Sequence, residues 1–353
     1  MILFSPVLTL RSWFERYERA LVPGLLVAGF FVDVVTFRTL QVTTTLSVLG
    51  AYALAAAAAI AYANAYDARP APPKGRVWSA ARLACPLAIS FAFGALLSSS
   101  FLFYWYSGSL SASWPLMAFF VALMTSNEAL RHVFLRPRMQ IVVFAFVLLS
   151  YFSLLFPFVF NTLESWAFLL AGAASTVAVL SLISLIARFS PAVRRFDLQL
   201  TGAALFIVAA MDGLYFLNMI PPIPLSIRDA GIYHDLARSG DGYALLGEEE
   251  SFLASVTPGQ ALGPDEDGRL YAYTAIFAPP GLSAVIAHRW ERFDEAKGDW
   301  VLHARHSFPI TGGRDAGYRG YSYALVAAGR WRVTVETERG QVLGRLSFTY
   351  AAR

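Results

Sequence analysis

The chain has 353 residues, 57% of them hydrophobic and only 15% charged, with a mean hydropathy of +0.52 and a formal net charge of +4. Soluble domains carry about a quarter charged residues, so the composition excludes a wholly soluble protein and equally a disordered or acidic-tail one. The single cysteine, Cys85, allows no internal disulfide and no thiolate metal site.

The first 19 residues have no basic region ahead of an apolar stretch, and the first apolar run ends without a small-residue cleavage site. They read as a cytoplasmic leader lying along the inner membrane surface. A spanning helix needs about 20 apolar residues. Seven runs qualify within residues 20–220: Ala20–Phe37, Leu40–Asn64, Leu83–Tyr106, Ser109–Thr125, Met139–Phe160, Trp166–Ile186 and Leu198–Ile220. The fourth is short and carries Pro115 in its first turns, where proline costs a helix least.

Loop charge gives the orientation. The leader and alternate loops hold 3, 4, 3 and 3 Lys or Arg, against Arg38 alone on the other side. Cations collect on the cytoplasmic side, so the expected topology has the N-terminus inside and the C-terminus outside. Removing the fourth span would move later basic clusters outward, which argues for keeping it.

Residues 221–262 open with Pro221-Pro222-Ile223-Pro224 and read as a periplasmic spacer and linker, with room for a strand at Gly242–Leu246. Residues 263–353 change period to two. The segments Leu270–Phe277, Ser283–Phe293, Trp300–Ile310, Tyr318–Val326, Arg330–Glu336 and Val342–Tyr350 are separated by Gly, Pro and Asp turns. Six or seven short strands of this kind predict an immunoglobulin-like antiparallel sandwich, with Trp290, Trp300 and Trp331 as core aromatics.

Two acids lie inside the spans. Asp33 is four residues from the outer end of the first span, about 6 Å deep, and Asp212 lies about 9–12 Å deep in the seventh. Both fall in the outer half of the membrane, where a buried carboxylate is expensive. With Arg38 they could line one outward cavity for a cation, a proton or a polar headgroup; equally, each could pair locally. Asn127, Glu128, Arg131 and His132 sit together at the cytoplasmic end of the fourth span, and Glu128 shares one helical face with Arg131 and His132. An interfacial cap accounts for them. Gly94 with Ser98, and Gly172 with Ser175, read as helix-packing positions.

In the β region, Arg314, Tyr318, Arg319, Tyr321 and Tyr323 make an aromatic and cationic stretch suited to a glycan, a lipid headgroup or a protein edge. His303 and His306 are three apart on one strand and are expected on opposite faces, which disfavours a shared metal. The Asp265-Glu266-Asp267-Gly268 run contains a D-x-D that could hold a divalent ion, but the flanking Gly263-Pro264 favour a solvated turn. HExxH, GxSxG, CxxC, Walker A and GxGxxG strings are absent. This weakens the soluble-enzyme readings, although intramembrane enzymes can lack such strings; no metal or cofactor is expected, and catalytic residues stay open.

Several stretches of the β region also carry a family likeness. His288-Arg289-Trp290, Arg319-Gly320-Tyr321-Ser322 and Gly329-Arg330-Trp331-Arg332-Val333, with Gly340 and Phe348 beyond them, resemble a bacterial β domain of unknown function 2914. Phe31–Leu40, Tyr106–Trp114, Ser126–Arg131 and Pro221–His234 resemble the multi-span region joined to it. Ala324 departs from that pattern, standing near where such domains often carry Lys. The resemblance implies architecture and no activity.

The expectation is a bacterial inner-membrane protein whose periplasmic sandwich binds an envelope protein, glycan or lipid without catalysis. The rivals are a transporter using Asp33 and Asp212, or an intramembrane enzyme with a lipid-linked substrate that adds His234 to them. The net charge divides into +6 over residues 1–220 and −2 over 221–353. The basic excess therefore belongs to the membrane part, and no nucleic-acid partner is expected.

Overall fold

The computed structural model describes residues 42–70, 75–108, 110–129, 136–239, 242–246, 260–263, 268–314 and 316–351. Its helices are α1 (Val42–Asp67), α2 (Arg76–Ser107), α3 (Leu110–Ala129), α4 (Pro137–Val159), α5 (Ser165–Ala187), α6 (Pro191–Arg194) and α7 (Asp197–Phe216). Five stretches are long and apolar enough to cross a membrane: α1, Val77–Ser107 of α2, α4, α5 and α7; α3 contributes a shorter apolar segment, Ala112–Ser126. Six of the expected spans thus coincide with helices, while Ala20–Phe37 and the leader lie outside the described residues.

These helices are apolar on all sides, and large side chains such as Leu54, Leu83, Leu198 and Phe206 are exposed. That is the surface a lipid environment requires. Their hydroxyls turn back onto their own helices: Ser153 donates to the Leu149 carbonyl, Thr176 to Gly172 and Ser181 to Val177. Such bonds satisfy a polar group where water is absent.

The described residues form two compact units. One holds the helix bodies: the described residues up to Leu102, then those of Ala118–Leu155 and Leu169–Asp212. Here Gly50 leaves room for the Tyr151 hydroxyl, which donates to the Leu46 carbonyl. Asp67 and Arg82 form a two-point ion pair between α1 and α2, and the Arg138 guanidinium sits 3.1 Å over the Phe196 ring.

The second unit joins the β-strands to Phe103–Met117, Phe156–Phe168 and Gly213 onward, the ends of several helices. Its strands are β1 (Ser226–Tyr233), β2 (Asp235–Ser239), β3 (Gly242–Leu246), β4 (Gln260–Leu262), β5 (Arg269–Phe277), β6 (Ser283–Asp294), β7 (Asp299–Thr311), β8 (Tyr318–Leu325), β9 (Gly329–Thr337) and β10 (Val342–Tyr350). Three sheets result: β1-β5-β8, β4-β10-β9-β6-β7, and the β2-β3 hairpin. Pairing is antiparallel except for the short parallel β4-β10 contact.

The six strands read from the alternating pattern are all present. Three more, β1, β2 and β4, arise inside the stretch read as spacer and linker, and β1 pairs with β5 along its whole length. The two larger sheets share their buried faces. Ile232, Leu270, Ala272 and Ala324 from one meet Trp290, Trp331, Val333 and Phe348 from the other. A second cluster of Leu225, Ile276, Leu282, Ile286 and Val335 accepts Leu163 from the turn after α4. Trp300 is not a core residue. It lies on the outer face of its sheet, edge-on to Phe293 and under the Arg332 guanidinium at 4.4 Å.

Candidate functional site

Strand register builds the most distinctive surface of the β region. Side chains alternate along a strand, so Leu270, Ala272, Thr274 and Ile276 of β5 point inward and Tyr271 and Tyr273 outward. Pairing then sets Tyr233, Tyr271 and Tyr323 in one row across β1, β5 and β8. Gly231, Tyr273 and Tyr321 form the next row. Ring centroids lie 6.0 Å apart for Tyr271–Tyr323, 6.4 Å for Tyr271–Tyr321 and 6.3 Å for Tyr233–Tyr273. The Tyr233 ring folds over Gly231, where a Cβ would lie 2.6 Å from its hydroxyl, and fills the sixth place.

Arginines flank this tyrosine tile. Arg269 lies 5.3 Å over the Tyr323 ring, Arg228 lies 4.8 Å over Phe277, and Arg319 continues the outward row of β8. Tyr321 and Tyr323 are 44% and 50% exposed. The predicted five-residue cluster therefore divides. Arg319, Tyr321 and Tyr323 share the outer face, whereas Tyr318 packs on the second core cluster with Arg314 5.1 Å over its ring. The sequence reading missed Tyr233, Tyr271 and Tyr273. The repeated Tyr-x-Tyr at 271–273 and 321–323 was its available signal.

Beneath the tile lies a buried polar bridge between the sheets. His288 of β6 is fully buried; its Nε2 is 2.9 Å from Thr274 Oγ1 and its Nδ1 2.9 Å from Ser322 Oγ. Ser322 also accepts a bond from Trp290 Nε1 at 2.9 Å. Burial, assisted by His306 across the strand pair, pushes the imidazole down to about 4. It is neutral at physiological pH and acts as an uncharged cross-link.

The outer face of the larger sheet carries an ion-pair lattice. Arg332 holds Glu291 at two points, 2.7 and 3.0 Å, and Thr334 donates to the same carboxylate at 3.3 Å. Arg289 and Arg305 both reach Glu336, at 3.4 and 3.2 Å. Burial alone would raise Glu291, but Arg332, Arg289 and Thr334 more than offset it and hold the carboxyl below its usual range. These ion pairs brace the sheet, while the buried Arg289 Nε makes only a charge contact and no hydrogen bond.

The histidine expectation needs one correction. A bulge opposite Trp290 and Glu291 shifts the phase of β7. His303 consequently packs edge-on against the core residue Trp331, while His306 lies opposite His288. They are not on opposite faces as simple alternation would place them. Among the described residues, no group of three His, Cys, Asp or Glu is placed to hold a metal.

In the helical unit, Asp212 faces α5. A Cβ built on Gly172 would lie 3.1 Å from Val208 and 3.7 Å from Asp212 Oδ1, which is buried without a hydrogen-bond partner. Gly172 is thus a close-approach position, whereas Gly94 faces open space. Asp33, Arg38, Arg131, His132, Asp265, Glu266 and Asp267 lie outside the described residues, as do the side chains of Asn127 and Glu128.

The β strands are seated on helix ends within their own unit. Arg339, in the β9–β10 turn, donates to Ser165 Oγ at 2.7 Å and lies 4.0 Å over the Tyr215 ring. Tyr215 in turn stacks on Phe168 at 4.1 Å. Asn161 and Asn218 end α4 and α7 in the left-handed conformation, a role open to asparagine. Asn161 lies against Gly281, and Asn218 donates to the Arg339 carbonyl.

Comparison with known proteins adds a family name for the β region. Residues 283–350 match the family described as protein of unknown function (DUF2914). No curated protein matches the chain. One solved structure, the Pseudomonas fluorescens alkylpurine DNA glycosylase AlkC bound to DNA containing an abasic site analog, aligns over 84% of this chain and 98% of its own. Its identity is 10% and its TM-score 0.25, too low to carry an argument about fold or function.

Proposed function

We propose that this protein, with a DUF2914 domain at its C-terminus, is a bacterial inner-membrane protein of seven spans whose periplasmic immunoglobulin-like sandwich binds an envelope partner. The role is that of a scaffold or accessory protein, and the partner is a protein, a glycan or a lipid. The strand order β1-β5-β8 against β4-β10-β9-β6-β7 supports the sandwich assignment. The five long apolar helices and the basic bias of alternate loops support the membrane topology.

The observation that carries the binding role is the tyrosine tile with its flanking arginines. Exposed aromatic patches rimmed by polar groups mark interaction sites, and Tyr with Arg dominates binding hot spots. Replacing Tyr321 and Tyr323 together by Ser in the full-length protein should remove its crosslinked partner from intact cells. An unchanged crosslinking profile refutes the binding role, and a reporter fused after Arg353 that is active only in the cytoplasm refutes the topology.

A second reading rests on Asp212, whose buried Oδ1 lacks a hydrogen-bond partner. An ionisable group at that depth is a candidate transport or catalytic site. It predicts pH-dependent or ion-dependent uptake by proteoliposomes of the full chain that Asp212→Asn abolishes.

A further inference from the structure

We infer that the outer face of the β1-β5-β8 sheet docks an acidic segment of a protein partner. This rests on the binding role proposed above and deepens it by naming the partner's chemistry. Three observations narrow the choice.

The first is charge. The outward positions of these strands carry Arg228, Arg269 and Arg319 against a single acid, Asp229, among the described residues. This cationic face belongs to a region whose formal charge is −2. Guanidinium groups beside aromatic rings are pre-organised for two-point bonding to carboxylates.

The second is ring geometry. Tyr271 is tilted by 50° to Tyr321 and by 49° to Tyr323, and Tyr233 stands at 78° to Tyr273. Mutually tilted rings do not offer the coplanar faces on which successive sugar rings stack. They do give the rigid, amphipathic relief that tyrosine-rich protein-binding surfaces use at low entropic cost. Leu325, on the same outward row and 61% exposed, extends the apolar part of that relief.

The third is position. The helix-end contacts gather at one end of the strands: Leu163 against the cluster containing Leu225, Gly281 against Asn161, and the β9–β10 turn on Ser165 and Tyr215. The Ser226–Phe277 pair lies at that end and the Tyr233–Tyr271–Tyr323 row at the other. Six register steps of β5, from Phe277 to Tyr271, separate them, about 20 Å at ~3.3 Å per residue. The tile thus lies at the end of its sheet remote from the helix-end contacts of its own unit, and Tyr321 and Tyr323 there are half-exposed.

The test places a photocrosslinking amino acid, p-benzoylphenylalanine, at Leu325 of the full-length protein in its native membranes. Leu302 on β7, also exposed, receives the same label as a control. The expected result is a polypeptide adduct from position 325 whose crosslinked peptide is rich in Asp or Glu. Its yield should fall about tenfold in Arg269→Glu with Arg319→Glu. Arg269→Gln alone, at an exposed position, should lower it less and without loss of fold. Amide exchange of β6 checks each variant for folding. A lipid or glycan adduct, a basic or neutral peptide, equal capture from position 302, or a yield indifferent to charge reversal overturns the inference and leaves the broader binding role standing. No adduct from position 325 overturns both.

Discussion

His288 makes the stability of the β region depend on pH. Its ordinary value of 6.5 falls to about 4 in the folded chain because burial excludes the charged form. Above about pH 6.5 the imidazole is neutral whether folded or unfolded, and stability is complete. As pH falls from there toward 4, the unfolded chain takes up a proton that the folded chain refuses, so stability is lost across that interval and is level below it. Each pKa unit is worth about 1.4 kcal/mol, so the full loss is about 3 kcal/mol, of which about 2 kcal/mol is reached by pH 5. Against a typical domain stability of about 5–15 kcal/mol, that loss is large enough to read directly.

Amide hydrogen exchange of the full chain, followed by mass spectrometry and corrected for intrinsic rates, localises the effect to β6 and β9. Protection there should fall by about 2 kcal/mol between pH 7 and pH 5. His288→Gln cannot titrate. It should cost about 1–3 kcal/mol at pH 7 through imperfect bonds to Thr274 and Ser322 and then show no slope over the same interval. Glu291, whose carboxyl is held low, loses its contribution as pH falls from its ordinary value of 4.5 downward, below the interval compared. A wild-type profile that is flat from pH 7 to 5, or a slope that survives in His288→Gln, refutes the reasoning.

Other substitutions probe the remaining contacts. Glu291→Gln leaves Arg332 and Arg289 without their shared carboxylate and should cost about 3 kcal/mol in denaturant unfolding. Arg339→Ala removes the cation from Tyr215 and the bond to Ser165. It should raise exchange in the β9–β10 turn by an equivalent of about 2 kcal/mol, and Arg339→Lys should not restore a planar stack. At Gly320 a Cβ would run into the Phe308 ring, so Gly320→Val should destabilise by about 1–3 kcal/mol, measured as a lowered midpoint of thermal unfolding.

The helices and most strands were legible because their signals are local. Apolar length specifies α1, α2, α4, α5 and α7, and two-residue alternation specifies β5 to β10 within a residue or so. The β1 strand was hidden because the prolines at 221, 222 and 224 end a helix without specifying the conformation of residues 226–233. Its Ile232 and Tyr233 gain meaning only once β1 pairs with β5. The β7 bulge was hidden for a related reason. The residue count across Trp290 and Glu291 depends on the partner strand, so His303 could not be assigned a face from spacing alone.

The same distinction explains the site. A Tyr-x-Tyr string places two rings on one face of one strand and no more. Register converts two such strings, with Tyr233, into two adjacent rows, and sends Tyr318 to the core although it lies only three residues from Tyr321. The surface therefore depends on strand pairing, which depends in turn on the buried face beneath it. Ser322, between Tyr321 and Tyr323, and Thr274, next to Tyr273, occupy inward positions and hold His288. Tyrosine outside and polar bridge inside alternate along the same two strands. A register slip of one residue would exchange them, burying phenolic groups and exposing the imidazole's partners. The His288 bridge accordingly fixes the phase of β5 and β8, and with it the outward tyrosine tile.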